Sequence, residues 1–432
     1  MMTWQYNPRV AIVRGLRTPF AKAGTMYAKL DALELGKIVV SELLQRSEID
    51  PKDVNEVIYG TVIPSVKAAN IAREIVLGTG LPRSIPGFTV SRACASSNTA
   101  LTSGADMIAR GYADTVVIGG AESLSTVPIL FSRRFAEVLV AASRQKTMSG
   151  KLGMFRKLRP KDLAPDTPAL AESVTGLTMG ESCEIMAKEN GITREAQDKL
   201  ALQSHARAAN AIAQGWFKDE VMSFPIPPDY ENVADTDNLV RADTTYEALA
   251  QLKPVFDRKF GTITAGNASG LTDGASAILL MSEEKAKALG LNPIGYLKSY
   301  AYAALDPFDQ LLQGPVFAIP LALDRAKLTL KEIDVVEMHE AFAAQVLSNI
   351  AWLGSKTIAE TKLGRSEPVG ELDPEAINPT GGSIAIGHPF GATGARIVTS
   401  VCNHLQRTGK QYGLISVCAA GGQGSAIVVE RE

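Results

Sequence analysis

Leu44-Gln-Arg-Ser-Glu-Ile-Asp-Pro-Lys-Asp-Val-Asn-Glu-Val57 aligns without a gap on Leu323-Asp-Arg-Ala-Lys-Leu-Thr-Leu-Lys-Glu-Ile-Asp-Val-Val336. Leucine, arginine, lysine and valine recur in register, as do aliphatic and acidic positions. A second echo follows in the same order: Arg110-Gly-Tyr-Ala-Asp-Thr-Val-Val-Ile-Gly-Gly120 against Arg407-Thr-Gly-Lys-Gln-Tyr-Gly-Leu-Ile-Ser-Val417. Self-similarity of this kind implies two alike halves around a shared core. The other reading is a chance likeness between two helix–turn–strand units.

The surrounding pattern favours α/β architecture. Residues 9–14, 54–62, 88–90 and 115–118 read as strands, and residues 31–46, 70–77 and 95–110 as helices. Strands alternating with helices imply a mostly parallel sheet covered on both faces. The same grammar restarts near residue 292. Residues 191–215 predict a pair of helices, and 225–247 a polar loop. The division expected is residues 1–125 for the first half, completed by about 250–290, 126–249 for a loop domain, and 291–432 for the second half.

Totals narrow the class. The chain has 432 residues, net charge −2, 46% hydrophobic and 21% charged residues. That balance is globular and gives no general attraction to nucleic acid. Four cysteines lie far apart, a poor framework for disulfides or metal. The start lacks a secretory or transit pattern, and no apolar run approaches a membrane span. A cytoplasmic protein is expected.

One region departs from the mean charge. Between Phe131 and Lys161 stand Arg133, Arg134, Arg144, Lys146, Lys151, Arg156, Lys157, Arg159 and Lys161, against the single acid Glu137. Apolar residues such as Phe135, Leu139 and Phe155 lie among them. This is an amphipathic basic insert: a solvated cover, or a surface for phosphates, a membrane or an acidic partner.

Five stretches carry possible chemistry. Phe88-Thr-Val-Ser-Arg-Ala-Cys94-Ala-Ser-Ser-Asn ends a strand on a cysteine that precedes a helix. There the orphan N–H groups and the dipole favour a thiolate nucleophile; otherwise the cysteine is a small buried hydrophobe. Gly261-Thr-Ile-Thr-Ala-Gly-Asn-Ala-Ser269-Gly is a tight turn or a ligand wall. His339-Glu-Ala-Phe follows a strand over residues 333–336, where open α/β sheets place their sites. Asn378-Pro-Thr-Gly-Gly-Ser-Ile-Ala-Ile-Gly-His388-Pro-Phe-Gly-Ala-Thr-Gly394 fixes an imidazole by backbone geometry. Leu414-Ile-Ser-Val-Cys418-Ala-Ala-Gly-Gly ends a second strand on a cysteine, before a turn whose N–H groups can meet an oxyanion.

Taken together and in this order, these motifs resemble the thiolase family over nearly the whole chain. The His339-Glu-Ala-Phe form and the basic insert are most similar to its β-subunit branch from the fatty-acid oxidation complex. The resemblance implies a thiolase fold, with two halves in a five-layered αβαβα core plus a loop domain. It implies thiolysis of 3-ketoacyl-CoA by CoA, with CoA a substrate and no cofactor or metal. The rival within the family is biosynthetic condensation to acetoacetyl-CoA. Outside it, a ketoacyl-carrier-protein synthase would need a histidine where Cys418 stands.

Roles carry over residue by residue. Cys94 is the implied nucleophile and His388 its base, and Cys418 is the implied second acid–base. His339 is implied to hold a water or donate to an oxyanion. The backbone N–H groups of Cys94 and Ala420 are implied to form a second hole, and Met179, Ser269, Ala341 and Phe342 to line the pantetheine and acyl path. Ala420 stands where the family usually has glycine, and Thr178 where short-chain relatives often have histidine. A homodimer is implied, or a heterotetramer with a hydratase–dehydrogenase α-subunit; the charge of residues 131–161 itself suggests docking to that subunit or to an anionic membrane.

Overall fold

The computed structural model describes residues 8–156, 158–166 and 171–432. Lys157 of the basic insert lies outside the described residues. In the first half, strands β1 (Val10–Arg17), β2 (Glu56–Gly60), β3 (Gly87–Val90) and β4 (Thr115–Glu122) alternate with helices α1 (Ala32–Ser47), α2 (Ile71–Gly78) and α3 (Ser96–Ala109). The insert forms α4 (Arg133–Ser143) and α5 (Met148–Phe155), and the rest of the loop region holds α6 (Met179–Glu189) and α7 (Arg194–Ala213). Strand β5 (Thr272–Ser282) then returns to the first half. The second half contains β6 (Gly295–Ala304), α8 (Gly314–Ala326), β7 (Val335–Met338), α9 (Ala343–Leu353), α10 (Thr393–Thr408), β8 (Tyr412–Ala419) and β9 (Gln423–Glu430).

These strands run β7-β8-β9-β6-β1-β5-β4-β2-β3 across one sheet. The junction between halves is the short β1–β6 ladder, with Val10 opposite Leu297. Helices α1 and α2 cover the outer face of the first half and α8 and α9 that of the second, while α3 and α10 pack together between them. The middle layer is one apolar core from both halves, with Leu101, Ile118 and Ile278 joined by Val398, Val401 and Ile415. The αβαβα layering follows from this.

The repeat read from sequence is a structural repeat. In the first echo, the 3-10 turn Pro51–Asp53 falls in step with Leu330–Glu332, and the start of β2 with the start of β7. Even the helix ends match: Glu48 and Lys327, partners in the alignment, both take left-handed φ values, 53° and 56°. In the second echo, β4 and β8 coincide from first residue to last.

The sheet is not mostly parallel, as the strand–helix alternation predicted. Only β2–β3, β2–β4 and β7–β8 are parallel; the β1–β5, β1–β6, β4–β5, β6–β9 and β8–β9 ladders are antiparallel. The last strand of each half causes this. β9 follows β8 through the turn at Gly421 and Gly422, too short for a crossover. β5 re-enters between β1 and β4, and its eleven buried residues carry no alternation to betray it. β4, expected over residues 115–118, also runs on through Gly119 and Gly120 to Glu122. Residues 191–215 hold one helix, not two, bounded by Gly191 and Gly215, both with positive φ; the second member of the pair, α6, lies upstream of Gly191.

The loop region is pinned by charge. Arg17, at the end of β1, donates to Asp237 through both terminal nitrogens at 2.6 and 2.9 Å and to Glu220 at 3.2 Å, all of them buried.

Candidate active site

Cys94 sits in a sharp turn between β3 and α3. Ala93 before it has φ 44°, a left-handed conformation that a non-glycine residue adopts at some strain. Ser96 Oγ braces the turn, donating to the Ala93 carbonyl at 2.7 Å and accepting from Arg92 N–H at 2.9 Å. The histidine loop meets this turn across the α3–α10 crossing. There Ala395 N–H donates to Ser97 Oγ at 2.9 Å, and a Cβ at Gly394 would lie 1.9 Å from Asn98 Oδ1. Small residues are what let the two helix starts come this close.

His388 reaches Cys94 directly: Nε2 lies 3.2 Å from Sγ, and Nδ1 lies 2.6 Å from Thr393 Oγ1. Its own N–H donates to Thr272 Oγ1 at 2.7 Å, and Gly387 before it has φ 110°, which only glycine adopts freely. The His339 ring lies 4.0 Å from that of His388, centroid to centroid. One nitrogen of each ring and the Cys94 sulfur all fall within 4.8 Å of one another.

Burial dominates the electrostatics. It pushes the Cys94 thiol up to about 12, against N–H donation from Cys94 and Ala420, with the nearby Glu122 adding to the rise. The expected thiolate is therefore not the resting form: although Cys94 keeps some exposed surface, its sulfur's removal from bulk water outweighs the helix start. Burial first and then Arg396 hold His388 down at about 3. Cys94 and His388 rest as a neutral thiol–imidazole pair. Cys418 ends β8 and is 1% exposed. Its thiol is raised by burial, then by Cys94 and Cys183, so it rests protonated.

The remaining expected residues gather here too. Ala420 directs its N–H at the Cys94 sulfur and has no left-handed φ; Gly421 and Gly422 take those conformations instead, at 79° and 66°. The alanine thus leaves the backbone pair of Cys94 and Ala420 intact. Cys418, Ala341 and Phe342 share one apolar cluster, with Met179 packed against it. Ser269 N–H donates to the Ala341 carbonyl at 2.9 Å, joining the two lining loops. Thr178 caps α6, exchanging hydrogen bonds with Glu181, so its hydroxyl is engaged.

Several supporting residues were not singled out from sequence. Glu122, buried, accepts from Val62 N–H at 2.9 Å, Ile63 N–H at 3.0 Å and Gly391 N–H at 3.1 Å, fastening the histidine loop to the end of β2. Glu340 accepts from Ser204 Oγ at 2.7 Å, Asn378 Nδ2 at 2.6 Å and Ile384 N–H at 3.1 Å, tying the same loop to α7. Glu340 lies inside the His339-Glu-Ala-Phe motif and Glu122 two residues past the second echo, but nothing in a lone acidic residue shows that it is buried. Beside Ser269, a cavity of about 580 Å³ opens between the loop region and the core. Lys22, His205, Arg241, Ala268, Gly270 and Leu271 are among its lining residues.

Residues 10–284 match the thiolase N-terminal domain and residues 291–431 the thiolase C-terminal domain. The chain belongs to the thiolase family. This thiolase is 51% identical to a 3-ketoacyl-CoA thiolase of Yersinia pestis over 424 residues, 98% of this chain and 97% of that one. The crystal structure of Bacillus anthracis acetyl-CoA acetyltransferase superposes with a TM-score of 0.85 at 34% identity, over 98% of both chains. That of human mitochondrial 3-ketoacyl-CoA thiolase does so at 0.81 and 31%, over 98% of this chain and 99% of that one.

The basic insert of this thiolase is a helical hairpin. Phe135 packs edge-on against Phe131 and Phe155, at 5.0 and 6.5 Å between centroids. Its outer surface is apolar as well as basic: Met148 is 73% and Leu152 64% exposed. No helix among the described residues is long and apolar enough to cross a membrane.

Proposed function

We propose that this thiolase cleaves 3-ketoacyl-CoA with CoA, giving acetyl-CoA and an acyl-CoA shorter by two carbons, in the cytoplasm. The observation that carries the reading is the 3.2 Å contact from His388 Nε2 to Cys94 Sγ, with two backbone N–H groups converging on the sulfur. Cys94 attacks the keto carbon as His388 takes its proton. The alkoxide so formed lies against the N–H groups of Cys94 and Ala420. The bond between C2 and C3 then breaks, leaving the acyl group on Cys94 and an enolate on the departing acetyl-CoA. His388, now protonated, and His339 hold the enolate oxygen while the Cys418 thiol protonates C2. Incoming CoA gives its proton to the Cys418 thiolate and attacks the acyl-enzyme. Cys94 leaves with the proton that His388 returns.

Met179, Ala341 and Phe342 supply an apolar wall for the acyl chain, and the engaged Thr178 hydroxyl offers no donor to a short substrate. Lys22 and Arg241 line the adjoining cavity, and their charges would attract the phosphates of CoA. Comparing Cys94→Ser with the unaltered enzyme on 3-ketoacyl-CoA of increasing chain length tests the reading. The variant should stay folded and lose several orders of magnitude in turnover, as catalytic-unit knockouts do. A strong preference for acetoacetyl-CoA would favour the biosynthetic reading instead.

The half-exposed edge strand β3 supports a homodimer, testable by sedimentation. The insert's exposed apolar and basic surface supports docking, to a hydratase–dehydrogenase subunit or an anionic membrane. Neutralising Arg156 and Arg159 should weaken that association in a salt-dependent way. Unchanged co-purification and vesicle binding would leave the insert a cover only.

A further inference from the structure

His339 Nδ1 lies 2.9 Å from Ser383 Oγ. Arg396 Nη2 donates to the same oxygen at 2.9 Å, and Arg396 Nη1 is held by Glu337, two residues before His339. All four side chains are buried. A guanidinium only donates, so Ser383 Oγ accepts from Arg396 and keeps one hydrogen of its own to place. Its remaining hydrogen-bond neighbour among the described residues is His339 Nδ1. If Nδ1 carried the ring proton, it would donate to Ser383 Oγ and leave the buried hydroxyl hydrogen without an acceptor among the described residues, a state native interiors avoid. With Nδ1 bare, the hydroxyl donates to it, and Ser383 Oγ and His339 Nδ1 are both satisfied. The ring proton then belongs on Nε2, a buried atom with no partner among the described residues.

His388 has the opposite requirement. Its Nε2 faces the Cys94 sulfur and must be bare to take a proton, so its Nδ1–H goes to Thr393 Oγ1. Two rings 4.0 Å apart therefore hold opposite tautomers, one an acceptor for the thiol and the other a donor.

We infer that Ser383 and Arg396 are positioning residues that lock His339 as its Nε2–H tautomer, so that His339 gives the enolate oxygen a direct hydrogen bond. The identity of that oxygen rests on the proposed thiolysis; the tautomer does not. Ser383 acts only through His339; the Arg396 charge also disfavours a protonated His388.

Nitrogen NMR of the resting enzyme labelled only in its four histidines reads this directly, with His339→Asn assigning the signals. His339 should show a bare Nδ1 and a protonated Nε2, and Ser383→Ala should mix the two tautomers. In turnover, Ser383→Ala should lower kcat by between about tenfold and the 10²–10³-fold that losing one oxyanion donor costs, with KM little changed. In a His339→Asn background the same substitution should lower kcat no further. A protonated Nδ1 in the unaltered enzyme, an unchanged His339 signal in Ser383→Ala, or a full extra loss in the double variant overturns the inference. The spectra need no substrate. An enzyme that fails to cleave 3-ketoacyl-CoA would therefore defeat the proposed function and leave the tautomer result standing.

Discussion

Gly120→Ala tests whether backbone packing sets the catalytic distance. Gly120 lies in β4, under the histidine loop. A Cβ built there would sit 1.9 Å from the Gly391 carbonyl oxygen, 2.6 Å from its carbon and 3.1 Å from the Gly60 oxygen. Ordinary contact begins at 3.4 Å, so the histidine loop and the strand must part by about 1.5 Å. The two atoms that the Cβ meets most closely are both backbone, so no rotamer change relieves the clash. Gly391 is three residues beyond His388, whose Nε2 stands 3.2 Å from the nucleophile. A misplacement of ~1 Å at a reacting pair costs about 10²-fold in rate. Overpacking of this kind costs about 1–3 kcal/mol in stability, which a large core should survive. The assay is kcat for 3-ketoacyl-CoA thiolysis, alongside the unfolding midpoint and Cys94 alkylation by iodoacetamide. A folded variant with kcat down about 10²-fold and slowed alkylation is expected. Gly80→Ala, where a Cβ meets nothing within 4 Å, serves as the control and should leave turnover unchanged. Near-normal kcat in folded Gly120→Ala would refute the claim that this packing positions His388.

Other outcomes follow from the same geometry. With Cys94 pushed up to about 12 and His388 held at about 3, the thiolate fraction grows only at high pH. Alkylation of Cys94 should therefore climb with pH and show no plateau below about pH 9, whereas a plateau near neutrality would indicate a preformed ion pair. Cys418→Ala should still acylate Cys94 from an activated acyl thioester but fail to turn over 3-ketoacyl-CoA; intact turnover would remove its acid–base role. Asp237→Asn breaks the bidentate hold on buried Arg17. It should lower stability by about 3–5 kcal/mol in denaturant unfolding, and an unchanged midpoint would mean that the loop region is held elsewhere.

The sequence by itself determined the repeat. Gap-free echoes survive in one dimension because each covers a contiguous helix–turn–strand unit. The turns at Pro51 and Leu330, and the left-handed caps at Glu48 and Lys327, confirm them residue by residue. It also marked Cys94, His339, His388 and Cys418, because glycine-framed histidines and strand-ending cysteines are visible as local patterns. Only the tertiary structure decided the direction of β5, since a fully buried strand has no polar face to give it period. Only the structure decided the resting charge of Cys94. A helix start is a local feature that favours thiolate, whereas the burial that outweighs it comes from residues hundreds of positions away. The partners of Glu122, Glu340, Ser383 and Arg396 were likewise decided in three dimensions. A hydrogen bond depends on which atoms meet, and in this fold the atoms that meet at the site come from both halves of a duplicated chain.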